Sequence, residues 1–190
     1  MKAFPIWRSV LGTDRITESS RIDMEDPNIK FFGPVHFMIS LNEFFEEWRW
    51  ARGLSIGLLE ALPEALLTAK PVAISGAWWK QFRHLARVQE NYVRALETGS
   101  IHFTCERSLY TGGANRESLL TYLKEADQKL FSNLSGLSAE IQIDWFGTSI
   151  SLQQHLVRLL SHETLHHGQF IIYARQVGLK LPECWGAWGE

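Results

Sequence analysis

Cysteine is scarce in this sequence, and its two cysteines lie far apart. Of 190 residues only Cys105 and Cys184 are cysteine, and neither belongs to a CxxC pair. A disulfide framework needs several cysteines, and a thiolate zinc site needs closely spaced ones, so neither is expected. This composition is typical of proteins kept in a reducing compartment, and we expect a cytoplasmic location.

Long apolar runs and blocks of basic residues are missing as well. No stretch reaches the roughly 18 apolar residues that a membrane-spanning helix requires, and Met1–Arg8 lacks the apolar core of a signal peptide. The 19 Lys and Arg residues and 21 Asp and Glu residues give a net charge of −2 and form no basic block. We therefore expect neither a membrane nor a nucleic acid as a partner.

What the chain does have is enough apolar residues for one buried core. With 190 residues, of which 45% are hydrophobic, a single domain is expected. Residues 1–35 mix apolar and polar positions before and around Gly33-Pro34, so they are predicted to be an N-terminal extension, with the domain spanning 36–190. Eight Trp and eleven Phe residues either fill the core or line an apolar pocket.

Apolar residues recur at steps of three and four along four segments, which predicts four long helices. Their predicted bounds are Val35 to about Leu62, Ser75 as a cap to Gly99, Asn115 as a cap to Gly136, and Ser149 or Ser151 to Gly178. Strand signal is limited to Ile141, Ile143 and Trp145, residues 100–113 are predicted to be a loop, and Leu181–Trp188 is too rich in Pro and Gly for a helix. The predicted fold class is all-α, a four-helix bundle.

The fourth predicted helix carries a pair of histidines on one face. His162 and His166 are four residues apart, which places the two rings one turn, or roughly 6 Å, apart along the axis. Such a pair can share one metal ion, although two imidazoles leave a site incomplete. His155 lies on the same face but about 10 Å further toward the N-terminus by helical rise, too far to join them.

The best candidate for a third ligand is His84 in the second helix. That helix has an apolar stripe that includes Trp78, Phe82 and Leu85, and His84 lies on its flank beside small or aliphatic neighbours, so we expect it to be partly buried. Three histidines with one open position form a catalytic type of metal site, in which a bound water or thiol loses its proton near neutral pH. A histidine on a helix flank is, however, more often structural, as an i, i+4 pair also can be.

The same stretch satisfies HExxH literally, which raises the alternative of a zinc protease. No strand pattern precedes the helix to hold an extended peptide, and no HxxGxxH continuation follows. Glu163 lies outside the face of the two histidines and is expected to be solvated or paired. His167 is rotated by about 100° from His166 and is expected to meet a different neighbour, and Gln169 is expected to be an ordinary amide on the helix face.

The sequence from His162 to Gln169 resembles the signature of the DinB/YfiT-like superfamily of four-helix, metal-binding proteins. That signature is a histidine, three residues, a second histidine, then a basic residue, glycine and glutamine; His167 here replaces the usual arginine. Further resemblance, over about residues 36–188, is carried by Trp48–Arg52, Leu58–Pro63, Phe82–Ala86, Tyr173–Gly178 and Leu181-Pro182.

The resemblance implies a divalent metal ion, Zn, Ni or Fe, held by His84, His162 and His166, in a bundle that often forms a homodimer. Family members include thiol S-transferases that use bacillithiol and isomerases that use mycothiol. Fold and metal do not fix the substrate, and our hypothesis is a metal-dependent transferase with a small-molecule substrate and a low-molecular-weight thiol as co-substrate. A metal-dependent hydrolase and a non-catalytic, metal-binding stress-response module are the alternatives, and no catalytic side chain is identified.

Overall fold

The computed structural model describes residues 39–103 and 110–188 of the chain; the predicted extension 1–35 and Cys105 lie outside these residues. The described part is mainly helical with one small hairpin, which confirms the predicted four-helix fold class. Its long helices and strands are α1 Leu41–Ala61, α2 Trp78–Thr98, α3 Arg116–Leu134, β1 Gln142–Trp145, β2 Thr148–Ser151 and α4 Leu152–Val177. Two short 3-10 helices span Glu64–Leu66 and Glu183–Trp188. No helix in 39–103 or 110–188 is long and apolar enough to cross a bilayer.

Two predicted helix starts were wrong, because other residues cap these helices. The Ser40 hydroxyl accepts a hydrogen bond from the Glu43 amide while the Glu43 carboxylate accepts from the Ser40 amide, a capping box that starts α1 six residues after Val35. Ser40 has extended backbone (ψ 160°), so no helix runs through it. Ser75 does not cap α2; its hydroxyl donates to the Val72 carbonyl at 2.8 Å, and Ala77 precedes the first helical residue.

The other helix ends confirm the predictions. Asn115 caps α3 by accepting from the Ser118 amide at 2.8 Å, and Ser151 rather than Ser149 caps α4. Gly99 and Gly178 end α2 and α4 with φ of 74° and 65°, a left-handed conformation that glycine adopts without steric cost.

The region before α4 and the tail after it differ from their predictions. Ile141–Trp145 was expected to give one brief strand, but β1 pairs with β2 in an antiparallel hairpin whose turn is Phe146-Gly147. Phe146 has a left-handed φ of 53° and its side chain is 70% exposed. The tail forms a 3-10 helix despite its Pro and Gly content, because Trp185 is buried and its indole N–H donates to the Leu54 carbonyl at 3.1 Å.

In the bundle, α3 and α4 each pack against both α1 and α2. Its buried apolar residues form two separate clusters. One contains Leu58, Phe82, Leu123 and Phe170, and the other contains Trp48, Tyr92, Leu130, Ile143 and Leu159. On every helix, a polar residue lies at or next to the boundary between the parts that belong to the two clusters.

These polar residues meet at Arg52 of α1, whose side chain is only 2% exposed. Its Nη2 donates to Gln89 of α2 at 2.6 Å, its Nε lies 3.3 Å from Asp127 of α3, and its Nη1 lies 3.4 Å from Glu163 of α4. Asp127 also accepts from the indole N–H of Trp48 at 2.9 Å and from the Gln89 amide at 3.0 Å. One guanidinium therefore contacts the other three helices of the bundle.

We predict that Arg52→Met destabilises the fold strongly. Removing the cation leaves Glu163 buried and Asp127 half-buried without their partner, and breaking a buried ion pair from one side costs about 3–5 kcal/mol. Urea unfolding monitored by circular dichroism measures this loss. Arg49→Met is the matched control, because Arg49 lies three residues earlier on the exposed side of α1 and its loss should cost less than about 1 kcal/mol. Equal losses in the two variants would contradict a central role for Arg52.

His155 links the hairpin to α2 through its two ring nitrogens. The Trp145 indole N–H donates to its Nδ1 at 3.0 Å, so the ring proton is on Nε2, which lies 3.1 Å from the Tyr92 carbonyl. A second proton on Nδ1 would face the indole N–H. Burial accordingly lowers the pKa of His155 from 6.5 to about 4, with the Tyr92 carbonyl opposing that shift.

We predict that His155 contributes to acid sensitivity. Its pKa is lower in the folded chain than in the unfolded one, so the unfolded chain takes up a proton first and stability falls as the pH drops from about 6.5 toward 4, by up to about 3 kcal/mol. His155→Gln keeps a donor and an acceptor but does not titrate, and should reduce the slope of unfolding free energy against pH over this window by the part that His155 contributes. An unchanged slope in His155→Gln would refute the assignment.

Candidate metal centre

Three imidazoles from two helices converge at one point of the bundle. His84 comes from α2, and His162 and His166 come from successive turns of α4. The Nε2 atom of His162 lies 3.3 Å from Nε2 of His84 and 3.3 Å from Nε2 of His166. The potential ligand atoms of all three residues lie within 4.8 Å of one another. The sequence predicted this set, and the structure brings all three residues together.

Hydrogen bonding alone does not account for both short contacts. An imidazole nitrogen carries either one hydrogen or one lone pair, so His162 Nε2 can complete only one of its two contacts as a hydrogen bond. A shared cation resolves this, because all three nitrogens can turn lone pairs toward it. Bonds of 2.0–2.1 Å at tetrahedral angles place neighbouring ligand nitrogens about 3.3 Å apart, as observed for both pairs. The three residues fit a divalent ion.

The electrostatics of the cluster keep its rings neutral. Burial first, and then the charges of the neighbouring histidines, lower the pKa of His162 to about 4 and that of His166 to about 3. The pKa of His84 is also lowered, first by the loss of surrounding water and then by the charges of Arg87 and Arg83. Neutral imidazole is the form that binds a metal, so the rings need not lose a proton first at neutral pH.

The environment of His84 differs from the expectation. The sequence predicted partial burial, but His84 is exposed at the surface end of the cluster, whereas His162 is half-buried and His166 is buried. His84 and His166 form part of the wall of an open cavity of about 570 Å³. The expectation was based on small and aliphatic neighbours of His84 in α2, and these neighbours are buried. Their burial did not extend to the imidazole ring of His84. A ligand in the cavity would therefore lie beside the cluster.

Glu163 faces away from the histidines, toward the bundle centre. Its side chain is 1% exposed, accepts from the Ser55 hydroxyl at 2.6 Å and pairs with Arg52 at 3.4 Å. The expectation that it is solvated was wrong, and the alternative that it is paired is confirmed. Burial raises the pKa of Glu163, with Arg52 and Ser55 opposing that shift. A carboxylate in this position cannot serve as the base of an HExxH protease, since it does not reach the cluster.

His167 also faces a different neighbour, as predicted. The Ser55 hydroxyl gives its hydrogen to Glu163, so at 3.1 Å it accepts from His167 Nε2. The His167 ring packs against Trp185 with a centroid distance of 5.2 Å. His167 therefore links α4 to the 3-10 helix of the tail and takes no part in the cluster.

The cavity wall contains residues that the sequence reasoning did not single out. Besides Gln169, which was expected to be an ordinary amide, it includes Lys80, Arg83, Gln81 and Tyr173. The Gln81 amide donates to the Tyr173 hydroxyl at 3.2 Å, which joins α2 to α4 across the cavity. The available signal was spacing, because Lys80 and His84 are one turn apart on α2 and Arg83 precedes His84.

Comparison with known proteins shows which family the chain belongs to and which structures its fold resembles. The sequence model of the DinB family matches residues 38–190. The structure is similar to that of a DinB-like protein from Bacillus subtilis, at 19% identity and a TM-score of 0.60, over 74% of this chain and 96% of that one. It is also similar to a DinB-like protein from Bacillus cereus, at 16% identity and a TM-score of 0.62, over 75% and 95% of the two chains. No curated protein matches the sequence.

We predict that the chain binds one divalent ion and that each of the three histidines is needed. His84→Ala, His162→Ala and His166→Ala should each weaken zinc binding by at least about 100-fold, since even outer partners of metal ligands are worth 10–100-fold. Metal analysis of protein expressed without a histidine tag and calorimetric titration with zinc measure this. His102→Ala and His155→Gln are the controls. Full zinc affinity in His84→Ala would rule out the ligand from α2.

Proposed function

We propose, because the chain belongs to the DinB family, that it is a metal-dependent enzyme, a thiol S-transferase that acts on small electrophiles. The observation that supports this proposal is the position of the histidine cluster. Two of its members, His84 and His166, line an open cavity, so the cluster has protein on one side and space for a ligand on the other. A purely structural metal site would be closed by a fourth protein ligand.

His84, His162 and His166 would hold the ion, and three imidazoles suit Zn, Ni or Fe. When bound, the ion supplies a positive charge that lowers the pKa of a thiol or water beside it. The protein's own contribution is to keep the three rings neutral and fixed in direction. Because His162 and His166 lie on consecutive turns of one helix, their spacing does not depend on a loop.

The cavity has the size and surface that a small electrophile requires. Its volume of about 570 Å³ lies within the usual range for small-molecule sites. Val72, Ile74 and Ile172 give it an apolar side, while Gln169 and the Tyr173 hydroxyl give it polar groups. In the proposed reaction the thiol sulfur bonds to the electrophilic carbon, the leaving group departs with the bonding electron pair, and the thiol proton passes to solvent.

We predict thiol-dependent turnover that requires the cluster. Zinc-loaded protein is mixed with a panel of low-molecular-weight thiols and 1-chloro-2,4-dinitrobenzene, and thioether formation is followed by absorbance. The rate should fall by at least about 100-fold in His166→Ala, since the ion is lost, and should persist in His102→Ala.

The same assay separates this function from its alternatives. Turnover of ester or amide substrates with water alone would indicate a hydrolase. Zinc that raises the melting temperature while every substrate stays unchanged would indicate a non-catalytic module. Either result, or equal rates in the original protein and in His166→Ala, would overturn the transferase proposal.

A further inference from the structure

The cavity beside the histidine cluster has a charged wall of one sign. Its described lining includes Lys80 and Arg83, both from the first turns of α2, and no Asp or Glu. In a cavity with one apolar side, two cations without a facing carboxylate create a positive potential that favours an anionic ligand.

Arg83 is held in place but has an unused hydrogen-bond donor. Its guanidinium carbon lies 5.0 Å from the centroid of the Trp79 ring, and Lys80 Nζ lies 5.7 Å from the same ring. The Arg83 Nε is buried and has no hydrogen-bond partner within 39–103 and 110–188. Buried donors are nearly always satisfied, so an unpartnered donor on a residue that lines a cavity favours a ligand there that accepts from this guanidinium.

We propose that Arg83, assisted by Lys80, binds a carboxylate of the molecule that occupies this cavity. A guanidinium presents parallel N–H donors that match the two oxygens of a carboxylate, and its stacking on Trp79 fixes the plane in which they lie. This inference rests on the proposed function only in taking the cavity as the substrate pocket. It adds a substrate class: a small molecule with a negative charge near its reacting atom.

The order of residues on α2 supports a single bound molecule that contacts both groups. Lys80 and His84 are one turn apart on the same side of the helix, and Arg83 adjoins His84 in sequence. Arg83, His84 and His166 all line the same cavity. A ligand of ordinary size can therefore place its carboxylate at Arg83 and its reactive end at the histidine cluster.

Benzoate and benzamide test the proposal, since they are equal in size and differ in charge. The zinc-loaded full chain is titrated with each, and the side-chain 15N–1H signal of Arg83 Nε, assigned with Arg83→Lys, reports binding. We expect benzoate to shift this signal and to bind at least about tenfold more tightly than benzamide. Arg83→Gln, followed by calorimetry, should lose most of the preference for benzoate, and Lys80→Gln should lose a smaller part of it.

Lys124→Gln is the matched control, because it removes one positive charge from an exposed position on α3. It should keep the full preference for benzoate, while zinc content and circular dichroism show that every variant is folded. Equal affinity for the two ligands in the original protein, or a preference for benzoate that is undiminished in Arg83→Gln, would overturn the proposal. Neither ligand contains a thiol, so a failed transferase assay with a retained benzoate preference would reject the proposed function alone.

Discussion

The buried Arg52 side chain is the constraint on which the rest of the structure depends. It lies between the two apolar clusters. Apolar packing has no direction, so it would not by itself fix the position of one helix relative to another. Hydrogen bonds and ion pairs do have direction, so contacts from Arg52 to Gln89, Asp127 and Glu163 set the depth and rotation of each helix. Glu163 matters most for the cluster: with this residue turned inward, His162 and His166 are turned toward α2.

Local signals in the sequence predicted much of this architecture. The i, i+4 pair on α4, the capping residues Asn115 and Ser151, and the stop at Gly178 all depend on neighbours within one helical turn. The third ligand needed a judgement across 78 residues between His84 and His162, which periodicity alone could not supply. There the family resemblance added what local pattern lacked, because it relates positions on two different helices.

What the sequence did not predict depended on tertiary contacts. Arg52 follows Trp48 by four residues, which places it on the same helix face, but the spacing does not show that it is buried there or that it pairs with carboxylates. Ser75 resembles a cap, yet a hydrogen bond to Val72 uses its hydroxyl. Glu163 was expected to be solvated or paired, because acidic residues rarely lie inside a core without a partner. Its buried position is stabilised by Ser55 and Arg52 of α1.

The distribution of the three ligands along the chain has a consequence for biosynthesis. A ribosome produces His84 well before α4, and until α4 emerges both partners of His84 in the cluster are missing, because His162 follows it by 78 positions. The cluster can therefore assemble only after α3 and the hairpin have been made. A nascent chain that stalls before α4 would contain only one of the three ligands, and a single imidazole competes poorly for scarce ions. Tight metal binding would then be limited to chains in which α4 has already packed against α2.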